Sequence, residues 1–254
     1  MNSFAVVIPA YNETLTIHQV VLEALKFTPH VIVVNDASID DTANIVQTTD
    51  AILINLSQNS GKASALQIGF EKALSLNVEA VITLDGDAQH NPMDIPKLWE
   101  CFQQAATTLC IASRLKDRQN APRSRRIANG IADFWVSWAA GEPIADSQSG
   151  FRLYPSILLR QLSFPYQNKS GFVFESEVLV DASHLGYGFA FIPIDTVYAE
   201  NRRASHFRAG FDITQITVMV AKKLLSKWMN VSGLVTSLSK KPNIIEPKVT
   251  NKKD

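Results

Sequence analysis

Phe4-Ala5-Val6-Val7-Ile8-Pro9-Ala10-Tyr11-Asn12-Glu13 passes from an unbroken apolar run into a polar, acidic segment, and Val31-Ile32-Val33-Val34-Asn35-Asp36 repeats the transition. Unbroken β-branched runs suit strands covered on both faces, because a strand with one wet face alternates apolar and polar residues. Working outward, residues 5–8, 31–34, 52–56, 81–84 and 109–112 predict strands. The amphipathic stretches 14–27, 41–48, 62–76 and 93–105 predict helices, each opened by a polar cap or by Pro92 near the start. Strand and helix in turn predict an α/β fold, with a mostly parallel central sheet and helices on both faces. Ligands of such sheets bind beyond the carboxyl ends of the strands. Chemistry is therefore expected at 9–13, 35–41, 57–62, 85–90 and 113–114, which are polar and in several places acidic.

The second half is less regular, with helices predicted over 125–140, 175–184 and 212–229, a loop over 146–152 and a strand over 190–194. No internal repeat is visible. Residues 239–254 hold five lysines, two prolines and few apolar groups. They cannot bury enough surface to offset their ordering entropy, which predicts a flexible basic tail.

The 254 residues, 46% hydrophobic and 19% charged, suffice for one large domain or a domain with an appendage. The apolar runs fall far short of the roughly 20 residues a membrane-spanning helix needs. Met1 leads directly into the first strand without a basic leader or cleavage site, so a cytoplasmic protein is expected. Cys101 and Cys110 lack CxxC spacing and read as buried free thiols.

A net charge of zero hides an uneven distribution. Arg114, Lys116, Arg118, Arg123, Arg125 and Arg126 crowd one stretch against Asp117, and eight basic residues face two acids from Lys222 onward. These are either solvated surfaces or contacts for phosphates and an acidic membrane. Ile131, Phe134, Trp135, Val136 and Trp138 follow the arginines. Ile213, Ile216, Val220, Leu224 and Trp228 recur at helical spacing beside Lys222, Lys223 and Lys227. Each helix either faces the core or lies in a membrane interface, with 212–238 the candidate interfacial segment.

Leu84-Asp85-Gly86-Asp87-Ala88-Gln89-His90 places two carboxylates two residues apart at a strand end. It is either a polar turn ahead of Pro92 or a site for a hard cation, since Mg²⁺ or Mn²⁺ takes one or two carboxylates and completes its shell with phosphate and water. Asn59-Ser60-Gly61-Lys62 lacks the earlier glycine of a P-loop, and no GxGxxG follows the first strand, so neither an NTPase nor a dinucleotide enzyme is supported.

These segments, in order and followed by Asp146-Ser147-Gln148-Ser149-Gly150-Phe151-Arg152, resemble the family 2 glycosyltransferases of GT-A fold. The resemblance is strongest to the polyprenyl- and dolichol-phosphate sugar (mannose) synthases, from about Phe4 to Asp212. It implies a catalytic domain over 1–211 that transfers a sugar from a GDP- or UDP-linked donor to a polyprenyl phosphate at the cytoplasmic membrane face, with inversion. It also implies Mg²⁺ or Mn²⁺ and no nucleic-acid partner. Pro9, Ala10, Tyr11, Glu13 and Asp36 match the base and ribose pocket; Lys62 either steadies the donor site or is a surface lysine. Asp85, Gly86, Asp87 and Gln89 match the metal and pyrophosphate site. Arg114 falls in the family's Gly-Ser-Arg segment, and Asp146 matches its candidate general base; by its position Asp146 is alternatively an N-cap or a partner for Arg152. Arg123, Arg125 and Arg126 would clamp the acceptor phosphate through bidentate geometry. Ser205, His206 and Arg208 belong to a segment resembling one near the acceptor entrance. Asn35, Ala37 and Ala112 depart from the pattern, replacing an acid and two glycines. A soluble or polysaccharide acceptor is the rival on the same fold, and a non-catalytic nucleotide-sugar-binding protein is the rival of another class.

Overall fold

The computed structural model describes residues 3–115, 123–163, 171–195 and 209–246. Seven strands form one sheet: β1 (Phe4–Ala10), β2 (Val31–Asn35), β3 (Ile52–Asn55), β4 (Ala80–Thr83), β5 (Thr108–Ser113), β6 (Arg152–Pro155) and β7 (Gly188–Pro193), in the order β3-β2-β1-β4-β6-β5-β7. The helices are α1 (Ile17–Leu25), α2 (Thr42–Gln47), α3 (Lys62–Ser75), α4 (Ile95–Gln104), α5 (Arg123–Ala140), α6 (Ser156–Gln161), α7 (Gly171–His184), α8 (Ala209–Ser226) and α9 (Val231–Ser239).

Alternate residues of one strand feed two cores, as the pleat requires. Ala5 and Val7 join Ile32, Val34 and Val81 in the core under α3, α5 and α7, whereas Phe4, Val6 and Ile8 join Val31, Val33 and Ile82 against α1 and α4. This is why β1 and β2 read as unbroken apolar runs. The polar caps are not all found: α3 opens from Gly61 at φ 85°, and neither Thr16 nor Asp41 caps its helix through its side chain. Asn91 does cap the 3₁₀ turn Pro92–Asp94, accepting from the Met93 amide.

Strand β6 goes unpredicted, because it opens on Arg152, closes on Pro155 and has only two apolar residues between charge and ring constraint. It runs antiparallel between β4 and β5, pairing Thr83 with Arg152 and Cys110 with Leu153. Its reversed direction brings residues 146–151 to the end of the sheet where β1, β2, β4 and β5 terminate. The wholly buried Arg152 guanidinium is satisfied by the carbonyls of Ser147, Ser149 and Glu175 at 2.7–2.8 Å.

Three expectations at the C-terminal end are corrected. The 212–229 helix ends at Ser226; a kink with Met229 at φ 64° turns the chain into α9. The stripe Ile216, Val220 and Leu224 is buried core rather than an interfacial face, because α8 packs on α5 and α7. Of the expected tail 239–254, the described part is docked: Phe191 donates to the Asn243 carbonyl and accepts from the Ile245 amide, both at 2.9 Å. Residues 247–254 lie outside the described residues. Among the described residues, no helix is long and apolar enough to cross a membrane.

Candidate active site

The loops after β1 and β2 are laced together. The Asn12 amide donates to Ser38 Oγ, the Ile39 amide to Asn12 Oδ1 and the Glu13 amide to Thr42 Oγ1, while Thr16 Oγ1 reaches the Gly86 carbonyl at 2.6 Å. Pro9 and Ala10 close β1, and Tyr11 and Glu13 stand half-buried beyond it. Both Asp36 oxygens accept from backbone, Oδ1 from the Ser60 amide at 2.7 Å and Oδ2 from the Gly61 amide at 2.8 Å. Asp36 therefore fixes the loop that delivers Lys62, whatever else it touches.

The departures from the family pattern have local explanations. Asn35 donates to Asn55 Oδ1 across the strand ends at 2.8 Å, a bond that a carboxylate could not donate. Ala37 sits at φ 56°, where glycine is free of strain. Ala112 lies in regular strand, its carbonyl accepting from Ser149 Oγ at 2.6 Å, so a methyl group there is unstrained.

Asp85 and Asp87 stand just past β4. Lys62 Nζ lies 2.6 Å from Asp85 Oδ1 and 2.8 Å from Glu175 Oε1. Burial opposes ionisation of Asp85, but the adjacent ammonium outweighs it and holds the carboxyl below its ordinary range. Burial equally disfavours the Lys62 charge, and Asp85 and Glu175 more than compensate. Asp87 shifts the other way, raised by burial and then by the charge of Asp85. Gln89 orients Asp87 with its amide at 3.0 Å and its side chain at 2.6 Å. His90, buried behind them, is lowered to about 4 by burial and by Arg114, and is neutral.

A divalent cation fits this donor set. Burial, and then the charge of Asp85, disfavours ionisation of Asp87, and among the described residues no group of three or more His, Cys, Asp or Glu side chains offers a closed cage. That combination suits a cation completed by phosphate oxygens and water. Gly150 lets these side chains close up: a Cβ there would lie 2.7 Å from Asp85 Oδ2 and 2.9 Å from Lys62 Nζ and would push their ends aside.

Half-buried Arg114 and buried Asp146 form a bidentate pair. The Arg114 amide and Nε donate to Asp146 Oδ2 at 2.8 and 3.0 Å, and Nη2 donates to Oδ1 at 2.8 Å. The partner of Asp146 is thus Arg114, not Arg152, whose guanidinium is spent on carbonyls. Asp146 adopts φ 55°, and the Ser147 amide donates to Asp133 Oδ1 of α5 at 2.8 Å, tying the segment to that helix.

Arg123 and Arg126 are exposed on the first turns of α5; Arg125 belongs to the same helix, its side chain outside the described residues. Ser205, His206 and Arg208 also lie outside them. Glu175 is the site residue that sequence reading missed. Its signal was weak, an acid inside Phe172-Val173-Phe174-Glu175-Ser176-Glu177 marking only the start of a helix.

A family model described as "Glycosyl transferase family 2" matches residues 5–162. The chain is 29% identical over 230 residues to a UDP-N-acetylglucosamine–dolichyl-phosphate N-acetylglucosaminyltransferase of Methanococcus voltae, covering 82% of this chain and 91% of that protein. It is 24% identical over 228 residues to a polyprenol monophosphomannose synthase of Mycolicibacterium smegmatis, covering 85% of each. Glucosyl-3-phosphoglycerate synthase of Mycobacterium tuberculosis has a similar structure, with a TM-score of 0.68 at 18% identity over 87% of this chain and 79% of that one. The paired carboxylates at the end of β4, the GT-A sheet around them and the matched family model lead to one assignment: the chain belongs to glycosyl transferase family 2 and is a glycosyltransferase.

Proposed function

We propose that this glycosyltransferase moves a sugar from a GDP- or UDP-linked donor, held with Mg²⁺ or Mn²⁺, to a polyprenyl phosphate at the cytoplasmic face of a membrane, inverting the anomeric carbon. The observation that carries the acceptor is the Arg114–Asp146 pair. A hydroxyl acceptor needs a base to remove its proton. Both oxygens of the acid in that family position are held by one guanidinium, at 2.8–3.0 Å, so it is poorly placed for the task. A phosphate monoester, with a second pKa of about 6, arrives largely dianionic and needs no base. Asp146 then positions Arg114, which faces the negative charge of donor and acceptor.

Asp85 and Asp87 would hold the cation, with Gln89 fixing Asp87. Bound there, the cation supplies Lewis acidity to the departing nucleoside diphosphate. The solved structure of the mycobacterial synthase contains Mn²⁺ and UDP-glucose, which supports this reading of the donor side. The names of the methanogen and mycobacterial relatives, which specify dolichyl phosphate and polyprenol monophosphate, support the lipid acceptor.

The membrane face would be the surface shared by α5 and α9. Ile127, Ile131 and Trp135 are exposed four residues apart on α5, and Val231, Val235 and Leu238 are exposed on α9, which packs beside it. Trp228, 93% exposed in the kink between α8 and α9, extends the apolar surface beside the exposed Lys222 and Lys227. Aromatic and basic residues together on an apolar face suit an anionic bilayer interface. Residues 1–211 then form the catalytic unit, whose α5 shares the interfacial surface with Trp228 and α9 of the 212–238 segment.

The reading is tested with radiolabelled GDP- and UDP-sugars, the purified chain and vesicles carrying a polyprenyl phosphate. A chloroform-soluble labelled product that chelation of divalent metal abolishes is expected. Label transferred only to soluble acceptors would overturn the lipid reading.

A further inference from the structure

Glu175 is only 1% exposed, lies in the first turns of α7 and faces the donor site from across the sheet's end. Its Oε1 holds the Lys62 ammonium at 2.8 Å, and its Oε2 has no hydrogen-bond partner. A buried carboxylate without its full complement of donors is costly, and retaining one calls for a reason in the charge it balances. The same ammonium lies 2.6 Å from Asp85 Oδ1, so one cation bridges two carboxylates belonging to different elements. Two carboxylates thus share one ammonium, and Asp87, whose carboxyl is raised by burial and by the charge of Asp85, stands beside them.

We propose that Glu175 is a positioning residue that keeps Lys62 at the donor site as a displaceable counter-cation. Before the donor arrives, Lys62 neutralises Asp85. When a divalent cation claims Asp85, Glu175 retains the ammonium within reach of the donor's diphosphate, so the lysine changes partner without leaving the site. Gly150 keeps the exchange open, because a Cβ there would lie 2.7 Å from Asp85 Oδ2 and 3.0 Å from Glu175 Oε1. This inference rests on the metal reading given above and assigns a role to a residue that reading does not use.

Opposite signs are expected from the two partners. In Lys62→Met the competing cation is gone, and Mn²⁺ titrated into the donor-free chain should bind about tenfold more tightly while KM for the donor rises. In Glu175→Gln the ammonium has only Asp85 left to hold, so Mn²⁺ should bind about tenfold more weakly and the donor KM should also rise. The double variant restores the charge balance, and Mn²⁺ affinity should return to the wild-type value or better while the donor KM stays high. Free Mn²⁺ measured by electron paramagnetic resonance reads affinity independently of turnover.

A merely structural Glu175 would lower thermal stability and leave Mn²⁺ affinity and donor KM unchanged; that result overturns the proposal. Weaker Mn²⁺ binding in Lys62→Met also overturns it, and this half-exposed position keeps the sign test available if Glu175→Gln does not fold. Wild-type Mn²⁺ binding that ignores Asp87→Asn would instead overturn the metal reading, and the proposal with it.

Discussion

The donor end of the sheet and the α5–α9 surface are built by opposite rules. At the donor end polar side chains hold one another in place: Asp36 holds two amides, Gln89 holds Asp87, and Arg114 holds Asp146 through both oxygens, while Glu175 Oε2 and His90 Nδ1 stay buried without a hydrogen-bond partner. On the α5–α9 surface the side chains are apolar and exposed, and the polar contacts lie beneath them. There Trp138 Nε1 donates to the Met229 carbonyl at 3.0 Å, and the Asn230 side chain donates back to the Trp138 carbonyl. The first region is organised around charge already present within the chain. The second presents apolar surface that no described residue covers, which is how a docking face differs from a reaction site.

The sharpest way to break this contrast is at Asp87. Asp87→Asn would remove a ligand of the proposed cation and should lower turnover by about two to three orders of magnitude. In the metal-free chain it also removes a carboxyl whose ionisation burial and then the charge of Asp85 oppose, so the melting temperature measured with chelator should not fall. A lower melting temperature would make the pair structural.

A smaller effect is expected where the two regions meet. Replacing the exposed Arg123 and Arg126 together with alanine should cut transfer to a lipid phosphate about ten- to a hundredfold in all, since solvent screens exposed charges. Slow donor hydrolysis should persist, because the cation site is untouched. Equal loss of both activities, measured side by side, would show that these arginines serve the donor.

Trp228→Ser should leave the melting temperature unchanged, since its side chain is almost wholly exposed, and weaken vesicle binding about tenfold. Binding of the wild-type chain to anionic vesicles should also fall with salt, as charges at Lys222 and Lys227 are screened over about 8–10 Å. Salt-independent binding that survives Trp228→Ser would place the docking face elsewhere.

The smallest expected effect compares two alanines at positions where the family has glycine. Ala37→Gly relieves about 1–2 kcal/mol of left-handed backbone strain and loses about 0.5–1 kcal/mol to unfolded-chain entropy. It should raise the urea midpoint slightly, whereas Ala112→Gly, in unstrained buried strand, should lower it. Equal shifts would show that the φ of Ala37 is not a source of strain.

The same contrast explains what was legible in the sequence. β1, β2 and β4 announce themselves because both faces are buried, and the acids after them stand out because chemistry concentrates at strand ends. β6 does not, since a buried Arg152 satisfied by carbonyls looks like a loop residue. Glu175 was missed because its partner Lys62 is far away in sequence and only the sheet brings them together. The stripe Ile216, Val220 and Leu224 was visible as a helical face, but periodicity identifies an apolar face without saying whether protein or lipid covers it. Here α5 and α7 cover it, and the exposed apolar residues lie on α5, α9 and the kink at Trp228.

The central claim is that the acceptor ionises itself and the chain supplies no base. It is tested most directly by comparing kcat/KM for a polyprenyl monophosphate and for the corresponding unphosphorylated polyprenol, in the same vesicles with the same nucleotide sugar and Mn²⁺. The account predicts transfer to the phosphate and none above background to the alcohol, because Asp146 is committed to Arg114. Comparable kcat/KM for the alcohol would contradict it, since a hydroxyl could react only if Asp146 or another group were free to take its proton.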